Sequence, residues 1–208
     1  MTSDYLGRHS CPGHDPDHCL VLHPGSLSLV ASADASYGVH VDGKSHSGIC
    51  VGFKGCCDVR DSFFIFSSGK QSIVTTSSCE AELVCSNVGA SYWVWAAQLL
   101  EGIHLPGPAL VAELYCNEDT TPYAHEVVDV PLLYQDNAST LHLIEKGRGN
   151  FRNTKHIRVR YYFIRELVRA GELRVVWQST VDMVSDLLSK GVALAVFGYL
   201  LSKLIGKR

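Results

Sequence analysis

The sequence contains no apolar run long enough to cross a membrane. Its longest, residues 192–201, falls well short of the roughly 18 to 20 residues that a spanning helix requires. The opening residues, Met1 to Tyr5, show neither a basic leader nor an apolar stretch of the secretory kind. The eight cysteines are therefore read as reduced thiols, and the expected compartment is intracellular, a cytoplasmic particle or the nucleus. Composition of the disordered or collagen-like type is also absent, which leaves a chain of 208 residues able to bury one sizeable core with room for an extra arm. Zinc-finger spacing is lacking as well. Cys11, His14, His18 and Cys19 are the right ligand types, but adjacent His18 and Cys19 would have to converge on one ion.

An overall excess of positive charge, the usual mark of a nucleic-acid binder, is missing too, since the net charge is −3. Its distribution tells more than its sum. Residues 146–174 hold nine of the 18 Lys and Arg residues against two of the 21 acids, so that segment is +7 and the remainder, nine against 19, is −10. Such a run is either a solvated helix face or a surface that neutralises phosphates.

Residues 1–25 have no sustained period and read as an irregular arm or the remnant of an upstream connection. Residues 26–33, 47–54 and 62–67 have strand character and suggest an antiparallel meander. Ser77 and Glu80 have capping-box spacing, and Ala81, Val84, Val88, Tyr92, Trp95 and Leu99 then recur at helical intervals, predicting a helix over about 78–101. On this reading Tyr92, Trp93 and Trp95 are core residues rather than a base-stacking platform. Residues 105–129 read as a long loop or insertion. A strand over 130–135, a short helix over 139–146, a longer one over about 154–169 ended by Gly171, a strand over 173–178 and an amphipathic helix containing Asp186 complete the order. Residues 26–190 form the expected domain, and 191–208 an amphipathic tail.

In this reading four acids fall at element ends or on helices: Asp34, Glu82, Asp136 and Asp186. Phosphodiester hydrolysis by two metals needs such a set, because hard divalent ions prefer carboxylate oxygens and two ions about 4 Å apart can serve both the attacking and the leaving oxygen.

Seven segments carrying these acids and their neighbours resemble, in order, the ribonuclease H domain that follows reverse transcriptase in copia-type LTR retrotransposon polyproteins. They are S-A-D-A-S-Y-G (32–38), K-S-H-S-G (44–48), S-S-G-K-Q (67–71), S-S-C-E-A-E-L (77–83), Y-Q-D-N (134–137), N-T-K-H-I-R-V-R-Y-Y-F-I-R-E (153–166) and V-S-D-L-L-S-K (184–190). The resemblance implies an α/β, ribonuclease H-like fold, a five-stranded mixed sheet with its first three strands antiparallel and flanked by helices, the acids converging where the first and fourth strands lie side by side. It also implies that Asp34, Glu82, Asp136 and Asp186 hold two Mg²⁺ or Mn²⁺ ions and cut the RNA strand of an RNA–DNA hybrid. The reverse transcriptase of the same polyprotein is the implied partner, and no membrane is involved. Glu82 is preferred to Glu80 because it lies one turn into the helix and is followed by an apolar residue, whereas Glu80 has a capping role open to it. Lys155, Arg158, Arg152 and Arg148 are the expected phosphate contacts.

The segment before Asp186 lacks the loop histidine of many cellular ribonucleases H. The nearest candidate, His156, is read as a structural residue at a helix start. The alternative function is an idle or repurposed retroelement fragment that binds nucleic acid or a protein without cutting. An integrase-like transposase fits less well, because its helix-borne Glu comes last of the acids.

Overall fold

The computed structural model describes residues 28–54, 61–102, 130–146 and 155–204. The arm at 1–25, the Cys11–Cys19 group, the 105–129 insertion, Arg148 and Arg152 lie outside the described residues, as do the side chains of Lys155, His156 and Arg158.

Strand β1 (Leu29–Ser36) pairs on one side with β2 (His46–Phe53), which pairs with β3 (Ser62–Lys70), both antiparallel. On its other side β1 runs parallel to β4 (Leu132–Gln135), and β4 runs parallel to β5 (Arg174–Trp177). The order β3-β2-β1-β4-β5 is the five-stranded mixed sheet expected, with its first three strands antiparallel. Between β3 and β4 lies helix α1 (Ser78–Gly102), and between β4 and β5 lie α2 (Ala138–Lys146) and α3 (Lys155–Arg169). After β5 come a 3₁₀ turn (Thr180–Asp182), the single-turn α4 (Asp186–Ser189) and α5 (Leu194–Leu204). Among the described residues no helix is long and apolar enough to cross a membrane, and Cys50, Cys79 and Cys85 are free thiols.

The period-two alternation of β1 sends Leu29, Ala31 and Ala33 into the main core with Ile49, Val51, Leu133 and the helix residues Leu83, Trp93, Ala96 and Leu100. Val30 points the other way, into a second cluster with Cys50, Phe63, Leu132 and Val184. Both faces of this central strand are therefore covered, and all of it except Ser36 is buried.

Helix ends follow the local chemistry. Ser77 Oγ accepts from the Glu80 amide at 3.2 Å, and Glu80 Oε2 accepts from the Thr76 amide and hydroxyl, each at 2.7 Å. This is a capping box displaced by one residue. Asn137 Oδ1 caps α2 through the Ser139 and Thr140 amides at 3.0 and 3.2 Å. Gly171, at φ 74°, lets the chain leave α3 while the Glu172 amide bonds Leu167 O at 2.9 Å.

Two expectations are corrected. The expected Ala81 and Val84 are buried and Val88 and Tyr92 pack against the core, but the far half of α1 buries Trp93, Ala96 and Leu100 and leaves Trp95 and Leu99 about half exposed. The helix is apolar nearly all round and packs on the sheet and on α3, where Asn87 Nδ2 donates to Arg160 O at 3.3 Å, so periodicity alone did not fix its rotation at the far end. Second, the helix expected to contain Asp186 is only a single turn, Asp186–Ser189. Lys190 is extended (φ −151°, ψ 159°) and ends α4 after one turn, and the apolar run beyond becomes the separate α5.

Candidate metal centre

Asp34 is near the end of β1, and Asp136 is the first residue beyond β4. Because these strands are parallel neighbours with Ser32 beside Tyr134, both acids emerge at the same edge of the sheet. This is the carboxyl end of adjacent parallel strands, where α/β proteins build their sites. The third acid arrives from outside the sheet. Segment 180–190 crosses the face opposite α1, and α4 lies directly on β2 at Gly48, the partner of Asp34. A Cβ there would collide with Ser185 O and stand 2.6 Å from Ser189 N, so glycine permits the approach.

The result is a group of three carboxylates. One oxygen from each of Asp34, Asp136 and Asp186 lies within 4.8 Å of the others, with Asp34 and Asp186 buried and Asp136 half-buried. Segment 180–190 also supplies most of their partners. Ser189 Oγ donates to Asp34 Oδ2, and Thr180 Oγ1 donates to Asp136 Oδ2 at 2.9 Å. Lys190 Nζ stands 2.9 Å from Asp186 Oδ1 and 3.5 Å from Asp34 Oδ2. Ser32 Oγ and Ser185 Oγ, 2.9 Å apart, tie β1 to the same segment.

Glu82 borders this group without joining it. Buried on α1, it accepts from the Ala35 amide at 3.2 Å through Oε1 and from Gln135 Nε2 at 3.4 Å through Oε2. Burial, and then the nearby charges of Asp34 and Asp136, push its pKa up to about 9, so without metal its carboxyl is neutral at pH 7. Burial, with Asp34 and Asp136 adding repulsion, raises Asp186 to about 6 against the pull of Lys190. Glu80, by contrast, is committed to the helix cap.

These groups fit hard divalent cations. The donors are all carboxylate oxygens, and their mutual repulsion is what a cation would relieve. Asp186 Oδ1 is buried and, among the described residues, has no hydrogen-bond partner beyond the ion pair with the Lys190 ammonium 2.9 Å away. A buried carboxylate oxygen left this way is available as a ligand.

No protein-family model matches the chain. Over 185 residues it is 31% identical to the "Retrovirus-related Pol polyprotein from transposon RE2" of Arabidopsis thaliana, a match covering 88% of the chain and 11% of that protein. Over 192 residues it is 30% identical to the corresponding polyprotein from transposon RE1 of the same plant, covering 91% of the chain and 11% of the relative. Its homologues are the retrovirus-related Pol polyproteins of copia-type transposons. The chain thus spans about a ninth of the length of these relatives. Among solved structures, ribonuclease H1 from Halobacterium salinarum NRC-1 superposes with a TM-score of 0.44 at 12% identity, over 78% of this chain and 94% of the other.

Several residues of this Pol-related segment stand in the quoted motifs but were assigned no part from sequence. Gln135 is fully buried; its Nε2 donates to Ser86 Oγ at 2.9 Å as well as to Glu82, and its Oε1 accepts from the Asn137 amide at 2.9 Å. It thereby fixes both Glu82 and the turn that carries Asp136. Gln71 Nε2 joins β2 to the start of α1 through Ser47 Oγ and Ala81 O, each at 2.9 Å. Ser189, Lys190 and Thr180 complete the surroundings of the acids. For Gln135, Ser189 and Lys190 the one available signal was their place beside the acids in Y-Q-D-N and V-S-D-L-L-S-K, whereas Gln71 closes S-S-G-K-Q away from the acids and Thr180 lies outside the quoted motifs. The basic residues expected to contact phosphate are not placed around the centre, because Arg148, Arg152 and the side chains of Lys155 and Arg158 lie outside the described residues.

Proposed function

We propose that the chain is the ribonuclease H segment of a retrotransposon Pol polyprotein, hydrolysing the RNA strand of RNA–DNA hybrids with two Mg²⁺ or Mn²⁺ ions during reverse transcription. The observation that carries this reading is the convergence of Asp34, Asp136 and Asp186 from three separate elements to within 4.8 Å. Two divalent ions held by such acids supply an activated water and stabilise the departing oxygen of an in-line displacement.

The chain's own contributions follow from its geometry. Asp34 and Asp136 present carboxylates from a sheet edge that cannot readily deform, and Asp186 closes the site from the other side. Glu82 is held in reserve as a neutral acid; once ionised, it adds a fourth carboxylate from the α1 side. Gln135 and the Ala35 amide orient it, each donating to one of its oxygens. Lys155, Arg158, Arg152 and Arg148 would neutralise phosphates along the duplex, and selection of a hybrid would rest on groove shape and 2′-hydroxyl contacts. A reverse transcriptase within the same polyprotein would deliver the hybrid, inside a cytoplasmic particle or the nucleus.

The purified chain, given an end-labelled RNA–DNA hybrid with Mg²⁺ or Mn²⁺, is expected to cut the RNA strand internally and leave single-stranded RNA intact. Asp136→Asn should lose more than about a hundredfold in rate, as expected for a group acting in the transition state, while still binding the hybrid. An intact hybrid with either metal would reject the reading and favour a non-cutting nucleic-acid binder.

A further inference from the structure

The acidic centre contains its own cation. Lys190 is the fourth residue after Asp186 and caps α4; its stem runs from the solvent edge with the side chain 37% exposed. Its ammonium lies 2.9 Å from Asp186 Oδ1 and 3.5 Å from Asp34 Oδ2, so it touches two of the three acids. Three carboxylates within 4.8 Å of one another repel strongly in a partly dry site, and one ammonium offsets part of that repulsion. The oxygens it contacts are those a divalent ion would need. Its placement is built by the fold, because Gly48 lets α4 dock and the Ser189 hydroxyl anchors the adjacent residue to Asp34.

We propose that Lys190 is a tethered counter-ion: its ammonium occupies the cation position of the centre while divalent ions are scarce and is displaced when they bind, which sets the ion concentration at which the centre loads. The inference rests on the reading of Asp34, Asp136 and Asp186 as metal ligands. It assigns Lys190 a positioning role, stabilising the empty site at the expense of metal affinity. A divalent ion wins the exchange at sufficient concentration because it carries twice the charge and accepts several carboxylate oxygens, while the ammonium swings out on its flexible stem.

The test is Mn²⁺ binding to the full chain by titration calorimetry at fixed pH and ionic strength, for wild type, Lys190→Gln, Lys190→Arg and Asp186→Asn. Lys190→Gln should bind Mn²⁺ about tenfold more tightly, the effect of removing one unit of competing charge a few ångströms away, and should melt at lower temperature than wild type until Mn²⁺ is added. Lys190→Arg should stay within a few-fold of wild type, and Asp186→Asn should bind poorly. Unchanged or weaker binding by Lys190→Gln, in a chain whose wild type binds Mn²⁺ saturably, would overturn the proposal and leave the metal centre standing. Absence of saturable binding in both would overturn the metal centre and the proposal together.

A second measurement needs no variant. Acetylation of Lys190 in the wild-type chain, followed by peptide mass spectrometry, should be slow with chelator and several-fold faster, relative to the other lysines, with Mn²⁺ present. A rate that Mn²⁺ leaves unchanged or lowers would contradict displacement of the ammonium.

Discussion

The two faces of β1 are equally buried and do different work. Toward α1 the strand offers Leu29, Ala31 and Ala33, which join the main apolar cluster, and the first polar group of α1 met on that side is Glu82, at the Ala35 amide. Toward α4 it offers Val30, Ser32 and Asp34, and polarity rises residue by residue. Val30 packs against Cys50 and Leu132, Ser32 bonds Ser185, and Asp34 meets Ser189 and Lys190. The first face is held by area removed from water, which tolerates approximate geometry; the second by directed bonds between groups that would be costly alone. The difference teaches that burial by itself does not separate stability from chemistry. The two faces should part company when each is disturbed.

Leu133→Ala tests the dry face and should produce the largest change in stability. Leu133 is fully buried opposite Ala31, and a cavity there should cost about 2 to 5 kcal/mol in denaturant unfolding. Mn²⁺ affinity of the molecules that remain folded should stay near that of wild type. A large fall in affinity without a fall in stability would break the division between faces. Gly48→Ala tests the polar face. The added methyl meets the backbone of Ser185 and Ser189, so α4 must shift, at a cost of about 1 to 3 kcal/mol. All four acids remain, yet Mn²⁺ binding should be largely lost. Preserved binding would mean that α4 need not sit on β2 to complete the centre.

These cases also show what the sequence made legible. The mixed sheet and the convergence of Asp34 with Asp136 were legible through the resemblance of the quoted motifs, which implied that the first and fourth strands lie side by side; local spacing alone does not say which strands are neighbours. The capping role of Glu80 was readable from local spacing, and its confirmation leaves Glu82 as the buried acid beside Asp34. The rotation of α1 was readable through Tyr92 but not at its far end, where Trp93, Ala96 and Leu100 are buried in place of Trp95 and Leu99 and apolar residues on every side give the pattern little to orient it. That the helix carrying Asp186 is a single turn was not foreseen, although Lys190-Gly191 stands just beyond it. Lys190, Ser189 and Gln135 were missed for a common reason. Much of their meaning lies in partners more than 50 or even 150 residues away, as with Gln135 and Glu82 or Ser189 and Asp34, which no local pattern records, whereas the Lys190–Asp186 pair, four residues apart, is local.

Glu82→Gln separates the faces more finely. With chelator present, the wild-type Glu82 carboxyl has a pKa near 9 in the folded chain against an ordinary 4.5, so the folded state binds the proton more tightly than the unfolded one. Its contribution to stability is therefore full below about pH 4.5 and falls as pH rises through 9. Glutamine imitates the neutral acid and cannot ionise. The variant should match wild type near pH 5, within about 0.5 to 1.5 kcal/mol, the worth of one hydrogen bond, and lose less stability than wild type up to pH 9. Mn²⁺ affinity and hybrid cleavage should nevertheless decline. Parallel pH profiles for the two chains would show that Glu82 does not bear the proton.

The smallest expected effect lies at the margin of the polar face, where the 3₁₀ turn meets α5. Asp182 Oδ1 accepts from Tyr199 Oη at 2.7 Å and pairs with Lys203 Nζ, and these contacts hold the Asp182 carboxyl below its ordinary value of 3.8. A depressed carboxylate adds stability above its unfolded pKa and loses it as pH falls through the folded one. Asp182→Asn should therefore destabilise the chain slightly at pH 7, by about 0 to 1 kcal/mol for so exposed a pair, and the difference should vanish below pH 3. Because Leu200 is buried and Leu204 packs against the Val184 cluster, α5 should remain docked through apolar contact alone. Urea unfolding at pH 7 and pH 3 measures both effects. A cost well above 1 kcal/mol at pH 7, or a fall in Mn²⁺ affinity, would mean that α5 braces segment 180–190 and belongs with the chemistry of that face rather than at its edge.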